Sequence, residues 1–254
     1  MTDRALLDRR LAQLGASILG SVTGDRAIAR AGNGWWLVLS GAPSPDGNLG
    51  MVFSNDAQVL REVAAQVEWS GFPTVLLTAG DAPDRVLSAL WEDAGVMPFM
   101  AVDLETTRLA DDPRVRWATP ADLATLVDLL TATYGLEADI ATATVEPVLL
   151  GAAPIWFWLL EGAGAAVSTV MSARHEDVVT VWCMATAPGL RRRGYGGALL
   201  AHVLAVARGD GAEVGLLGAS PDGEPLYRST GWRTLEHVRV HVSAPSVQFS
   251  GSAR

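Results

Sequence analysis

The sequence predicts an α/β protein built as two tandem domains, residues 1–110 and 113–254, and three observations predict it. Short apolar runs of strand length alternate with stretches whose apolar residues recur at helical spacing. The turn His175-Glu176-Asp177 lies between two such runs and reads as a hairpin. The same order of helix, glycine, strand and closing strand occurs before Asp111 and again after it. An internal period above roughly 100 residues means duplicated domains, not a solenoid.

The elements follow in order. In the first unit Trp36 to Leu39 and Gly50 to Phe53 read as strands, Ala57 to Trp69 as a helix, Thr74 to Thr78 as a strand and Arg85 to Trp91 as a helix, before a strand ending at Val102. The polar stretch Glu105 to Arg114 is the link. Thr119-Pro120-Ala121-Asp122 then offers a helix cap with proline at the first helical position, followed by Leu123, Leu126, Leu129 and Leu130 at helical spacing. A second helix is expected from Glu137 to Leu150. Ile155 to Leu160, Ala165 to Ala173 and Val178 to Thr186 read as buried strands. After Pro188 the loop Gly189 to Gly197 enters a helix with Leu199, Leu200, Val203, Leu204 and Ala207 on one face, stopped by Gly211. Val214 to Leu217 is a strand, Pro225 to Ser229 a short helix and Thr234 to Val242 a last strand. The small polar tail from about residue 243 reads as disordered. Laying the halves together puts Trp91-Glu92-Asp93-Ala94-Gly95 over Tyr227-Arg228-Ser229-Thr230-Gly231.

Composition removes several chemistries. All 19 basic residues are arginine. Without lysine there is no Schiff base and no P-loop or kinase lysine to grip a phosphate. Cys183 is the single cysteine, and with His175, His202, His237 and His241 it builds neither a disulfide framework nor a zinc spacing, so no metal site is expected. His237 and His241 read as a half-exposed sheet face. Net charge is −9 and the one basic cluster, Arg191 to Arg193, is short, so no nucleic-acid partner is expected. No apolar stretch is long enough to span a bilayer, so the expectation is a cytoplasmic protein with no membrane partner. Oligomeric state is not legible in the sequence.

The chemistry concentrates in Arg191-Arg192-Arg193-Gly194-Tyr195-Gly196-Gly197, between a strand and an amphipathic helix. Glycines there let successive backbone N–H groups face one concavity while the helix N-terminus adds partial positive charge, an arrangement suited to a pyrophosphate. A dinucleotide fold would need a different glycine spacing within a βαβ unit, and the preceding hairpin does not supply one.

From about Val115 to Val242 the chain resembles the GNAT superfamily of acyl-coenzyme A dependent N-acetyltransferases. Arg191, Gly194 and Gly196 fit that family's diphosphate signature, behind Thr186-Ala187-Pro188. The resemblance implies a mixed, mostly antiparallel sheet flanked by helices, with acetyl-CoA as co-substrate. It implies that the strand edge through Met184, Ala185 and Thr186 binds the pantetheine arm and that the amides of Arg192 to Gly197 hold the diphosphate. Ser220 stands where the family places an asparagine that contacts the cofactor. Tyr227, before Gly231-Trp232, matches the family's tyrosine.

Direct attack of a primary amine on a thioester in a ternary complex needs little beyond positioning, an oxyanion donor and an acid for the leaving thiolate. An amide near Met184 serves as donor. A phenol of pKa about 10 is matched to a thiol of about 8.5, which assigns Tyr227 as the acid. Glu161, closing an apolar strand, is the candidate base if burial raises its pKa. Glu176, Asp177, His175 and a water relay are its rivals. Cys183 reads as a small buried hydrophobe, and Trp156 and Trp158 as core or as an acceptor wall. In the first unit Ser54-Asn55-Asp56-Ala57-Gln58 replaces the glycine loop and Trp91 the tyrosine, so that unit is expected not to bind coenzyme A; its sheet would pack against the second and help wall the cleft. The expected acceptor is a small-molecule or peptide amine, cationic or amphipathic. A non-catalytic acyl-CoA binding or sensing module, or a scaffold, is the other reading.

Overall fold

The computed structural model describes residues 3–22, 25–80, 87–151, 154–162 and 164–243. The tail from 244 and the start of the helix expected at Arg85 lie outside them. The elements are α1 (Asp3–Ala16), β1 (Ile28–Gly32), β2 (Trp35–Leu39), β3 (Asn48–Val52), α2 (Ala57–Ser70), β4 (Val75–Thr78), β5 (Trp91–Asp103), β6 (Val115–Trp117), α3 (Leu123–Tyr134), α4 (Ala138–Leu149), β7 (Ile155–Gly162), β8 (Ala165–His175), β9 (Val178–Thr186), α5 (Tyr195–Gly209), β10 (Val214–Gly218), α6 (Glu224–Ser229) and β11 (Arg233–Ser243).

The eleven strands of the described residues form one sheet in the order β1-β2-β3-β4-β11-β5-β10-β9-β8-β7-β6. β3 with β4 and β9 with β10 are parallel, and every other neighbouring pair is antiparallel. Mixed α/β architecture with a mostly antiparallel sheet is therefore what the chain adopts. The expectation of a first sheet packed against a second is corrected: the two halves share one sheet. The last strand of each half inserts between the other half's strands, because β5 hydrogen-bonds β10 and β11 hydrogen-bonds β4. Trp91 to Gly95 are strand, not the end of a helix. Ten-residue pairing of β5 with β11, from Ser243 opposite Trp91 to Arg233 opposite Ala101, overrides the local helical reading.

Side-chain alternation sorts the helices onto two faces. Leu60, Val63, Ala64 and Val67 of α2 pack with Leu76 and Val52. Leu199, Leu200, Val203, Leu204 and Ala207 of α5 pack with Leu217 and Met100, which are opposed across β10 and β5. The intervening residues Leu77, Leu216, Phe99 and Val238 point the other way, into a core shared with Leu11 and Leu14 of α1 and with Leu126, Leu130, Ala141 and Val145 of α3 and α4. So α2 and α5 cover one face and α1, α3 and α4 the other. Complete burial of Leu126, Leu199 or Phe157 contributes about 1.5–3 kcal/mol each. α1 is also tied to the β8–β9 hairpin, through Arg10 Nη1 to Asp177 Oδ2 at 2.9 Å and Gln13 Nε2 to Asp177 Oδ1 at 2.7 Å.

Candidate active site

β9 and β10 begin side by side, with Val178, Val179 and Thr180 opposite Val214, Gly215 and Leu216, and no pairing continues beyond them. From Val181 onward β9 diverges, and its edge towards β10 opens into a cavity of about 990 Å³. The divergence has a local cause. Cys183 has φ +48°, a left-handed conformation unusual for a residue with a side chain, and the β8–β9 register shifts between Thr169 and Met171. This bulge turns the Met184 region out of the ladder. Tyr134 Oη donates to the Met184 carbonyl at 2.6 Å and braces it from the end of α3.

The glycine loop forms one end of the cavity. Gly194, at φ +83°, caps α5, and a Cβ there would meet nothing within 4 Å, so conformation and not crowding selects glycine. Gly196 lies close to β9: a Cβ would sit 3.3 Å from Met184 Cε, so that the methionine end would have to give slightly, and 3.5 Å from Thr186 Oγ1. Arg192 is itself at φ +63°, and Arg191 Nε donates to the Thr186 carbonyl at 3.2 Å, folding the loop against β9. The first amides of α5, which no helical carbonyl can satisfy, thus end an open concavity. A diphosphate fits this cradle.

Tyr227 lies at the divergence itself. Its ring is buried, edge-on to Trp232 at 5.7 Å, and its hydroxyl reaches only Met184 Sδ, at 3.5 Å. Burial pushes the phenol up to about 12, so it stays protonated at neutral pH. Sulfur is a weak acceptor, which leaves that proton free to be given elsewhere. Tyr134, Tyr195 and Tyr227, the chain's three tyrosines, all line this one cavity.

Met184, Thr186, Arg191, Arg192, Gly194, Tyr195, Gly196, Gly197 and Ser220 also line it. Ala185 does not, because alternation buries its side chain in the core, although its carbonyl accepts from Ser168 Oγ at 2.8 Å. Arg193 is exposed and stands outside the lining. Ser220 Oγ accepts from Gly223 N at 3.2 Å and so organises the entry to α6. Glu161 is a correction. It is exposed rather than buried, bound to Arg116 Nε at 2.8 Å across the sheet edge, and stands outside the cavity. Trp158 is buried against Trp117, and Trp156 lies in the outer cleft beside them, so neither walls the cavity. His241 is buried with Nε2 3.1 Å from Thr78 Oγ1, while His237 is exposed; no metal-holding cluster occurs among the described residues.

Sequence reasoning did not single out Tyr134, Trp182 or Cys183 as lining, and it expected a wall from the first half without naming its residues, which are Leu14, Leu49, Met51, Val75, Leu77, Met97 and Phe99. Cys183 packs against the core as expected and also lines the cavity, and burial pushes its thiol up to about 11. The loop between β3 and α2 in the first half is closed. β3 and β4 stay paired to Val52 and Thr78, and Asp56 Oδ1 accepts from Gln58 N at 2.8 Å, placing a carboxylate at the α2 amides.

Residues 154–234 match the family model of the acetyltransferase (GNAT) domain. The match runs from the start of β7 into β11 and contains the divergence, the glycine loop and Tyr227. No curated protein matches the chain. Among solved structures, a GCN5-related N-acetyltransferase from Kribbella flavida aligns with a TM-score of 0.67 at 17% identity, covering 94% of this chain and 96% of that one. A GNAT-family protein from Novosphingobium aromaticivorans aligns at 0.63 and 17% identity, covering 92% and 98%. A conserved protein of unknown function from Staphylococcus epidermidis aligns at 0.59 and 10%, covering 85% and 94%. The GNAT-like fold thus extends over both halves, beyond the residues that the domain model matches.

Proposed function

We propose that the protein is an N-acetyltransferase that moves the acetyl group of acetyl-CoA to a primary amine by direct attack in a ternary complex. The observation that carries this is the divergence of β9 from β10, with a diphosphate cradle at one end and a protonated tyrosine in its wall. Acetyl-CoA supplies the activated acyl group when bound. The strand edge at Met184 to Thr186 would hold its arm and the amides of Arg192 to Gly197 its diphosphate. The Met184 region, turned out by the bulge, offers an amide to the carbonyl oxygen. Tyr227 gives its proton to the departing sulfur. No histidine lines the cavity among the described residues, and its one carboxylate, Asp222, lies in the loop beside Ser220, so the amine passes its proton to water.

The first half is read as a degenerate copy of the same plan. Supporting it are the matching strand directions on either side of β11 and β5, and a loop that Asp56 has closed. One acetyl-CoA per chain is the consequence.

Acetyl-CoA should raise the melting temperature, Gly194→Glu should abolish the rise, and an amine panel should be acetylated at rates that Tyr227→Phe cuts. Binding without turnover on any amine would leave a sensing module. No binding would leave a scaffold.

A further inference from the structure

Four apolar side chains are left half-exposed in the middle of the sheet: Leu49 of β3, Val75 of β4, Val240 of β11 and Met97 of β5. They are neighbours on one face. Leu49 pairs with Val75, Leu77 with Val240, and Met97 with Val238. All of them line the cavity that begins at the β9–β10 divergence, with Leu14 of α1 and Tyr134 of α3 adding to the wall. At about 4.8 Å per strand, the row from Met97 of β5 to Leu49 of β3 runs roughly 14 Å across the sheet. Partly exposed apolar residues are normal at a rim; a contiguous row of them inside a cleft marks a surface that a ligand covers.

Among the described residues, charge in the lining is confined to Arg191, Arg192 and Asp222, all in the loops that flank α5 and α6. The row itself carries none. A second ammonium on the acceptor would therefore be desolvated against hydrocarbon with no carboxylate to receive it.

Resting on the acetyltransferase reading above, we infer that the acceptor is a primary amine with an uncharged, apolar body, seated on Leu49, Val75, Leu77, Met97 and Val240. The first half of the chain thus supplies the specificity surface for chemistry done by the second. In the reaction the amine nitrogen bonds to the acetyl carbon, the carbon–sulfur bond breaks, the sulfur takes a proton from Tyr227, the amine's proton leaves to water and water returns a proton to the Tyr227 phenolate.

The test is the full-length protein with acetyl-CoA and straight-chain alkylamines of two to eight carbons, beside diaminoalkanes of equal length. kcat/KM should rise about fourfold per methylene until the wall is filled. Each diamine should fall at least tenfold below its monoamine. Val75→Phe should move the optimum to shorter amines and Met97→Ala to longer ones, with the acetyl-CoA melting shift retained in both as the check on folding. A flat amine series, diamines preferred, or no apolar amine turned over by a protein that acetyl-CoA stabilises would each overturn the inference while leaving the cofactor reading in place. A rise with the length of the acyl chain on coenzyme A, and none with the amine, would overturn it too by giving the wall to the donor. Failure of acetyl-CoA to shift the melting temperature would instead remove the acetyltransferase reading itself.

Discussion

His237 of β11 stands directly opposite Pro98 of β5, and the pairs on either side, Glu236 with Phe99 and Val238 with Met97, are counterparts about that point. Outward from it β11 reaches Val75 through Val242, and β5 reaches Val214 through Asp103. Each half therefore lends its last strand to the other. Neither half has a complete sheet without the exchange.

One unfolding transition is the expected result. Removing β11 exposes the edges of both β4 and β5, so the halves cannot melt in turn without stranding ladder hydrogen bonds. Far-ultraviolet circular dichroism and tryptophan fluorescence should give coincident denaturation curves. The nine tryptophans sample both halves, so two separated transitions would be visible and would refute the coupling.

Gly194→Ala separates conformation from contact. The site has room for a methyl group but not the backbone conformation, φ +83°. Holding alanine left-handed costs about 1–2 kcal/mol, or about 2–8 °C in melting temperature for a chain this long. Acetyl-CoA should bind more weakly as the cradle relaxes. An unchanged dissociation constant by calorimetry, with one site per chain, would show that the loop amides do not hold the diphosphate.

Tyr227→Phe should leave acetyl-CoA affinity within a few-fold and lower kcat by about 10²–10⁴. The phenol has only a sulfur acceptor to lose, so stability should change by less than about 1 kcal/mol. With the phenol at about 12, no alkaline limb from this group should appear below pH 10. The acid limb of kcat/KM should follow the pKa of whichever amine is used, and Glu161→Gln should keep kcat within about twofold of the parent. A limb fixed at one pH for amines of different basicity would reveal a protein base.

The loop was legible in the sequence because its constraint is local. Gly194 answers to a backbone angle and Gly196 to close approach, and both demands survive as glycines in a fixed spacing. Leu199, Leu200, Val203, Leu204 and Ala207 were equally readable as one helical face. What was not legible was partnership. Nothing in the alternation of Met97 and Phe99 says that β5 lies beside β10 and β11, because periodicity fixes a face and not a neighbour. A wall from the first half was expected, but its residues could not be named for that reason. Glu161 failed through the same gap: its burial was inferred from its own strand, whereas Arg116 on the adjacent edge strand holds it in solvent.

Asp112 links stability to the glycine loop. Its Oδ1 accepts from Arg114 N at 3.0 Å and its Oδ2 from Arg114 Nη2 at 2.6 Å, while the guanidinium lies 5.9 Å over the Tyr195 ring. The Arg114 hydrogen bonds hold the carboxyl at about 2. Because the folded value lies below the ordinary one of about 3.9, the contribution is complete above pH 4 and is lost as the pH falls towards 2. Asp112→Ala should therefore lower stability at pH 7 by about 1 kcal/mol, read as about 2–4 °C. The gap to the parent protein should close between pH 4 and 2 in paired thermal melts. A gap that persists undiminished at pH 2 would mean that the substitution acts through backbone conformation at the turn rather than through the carboxylate.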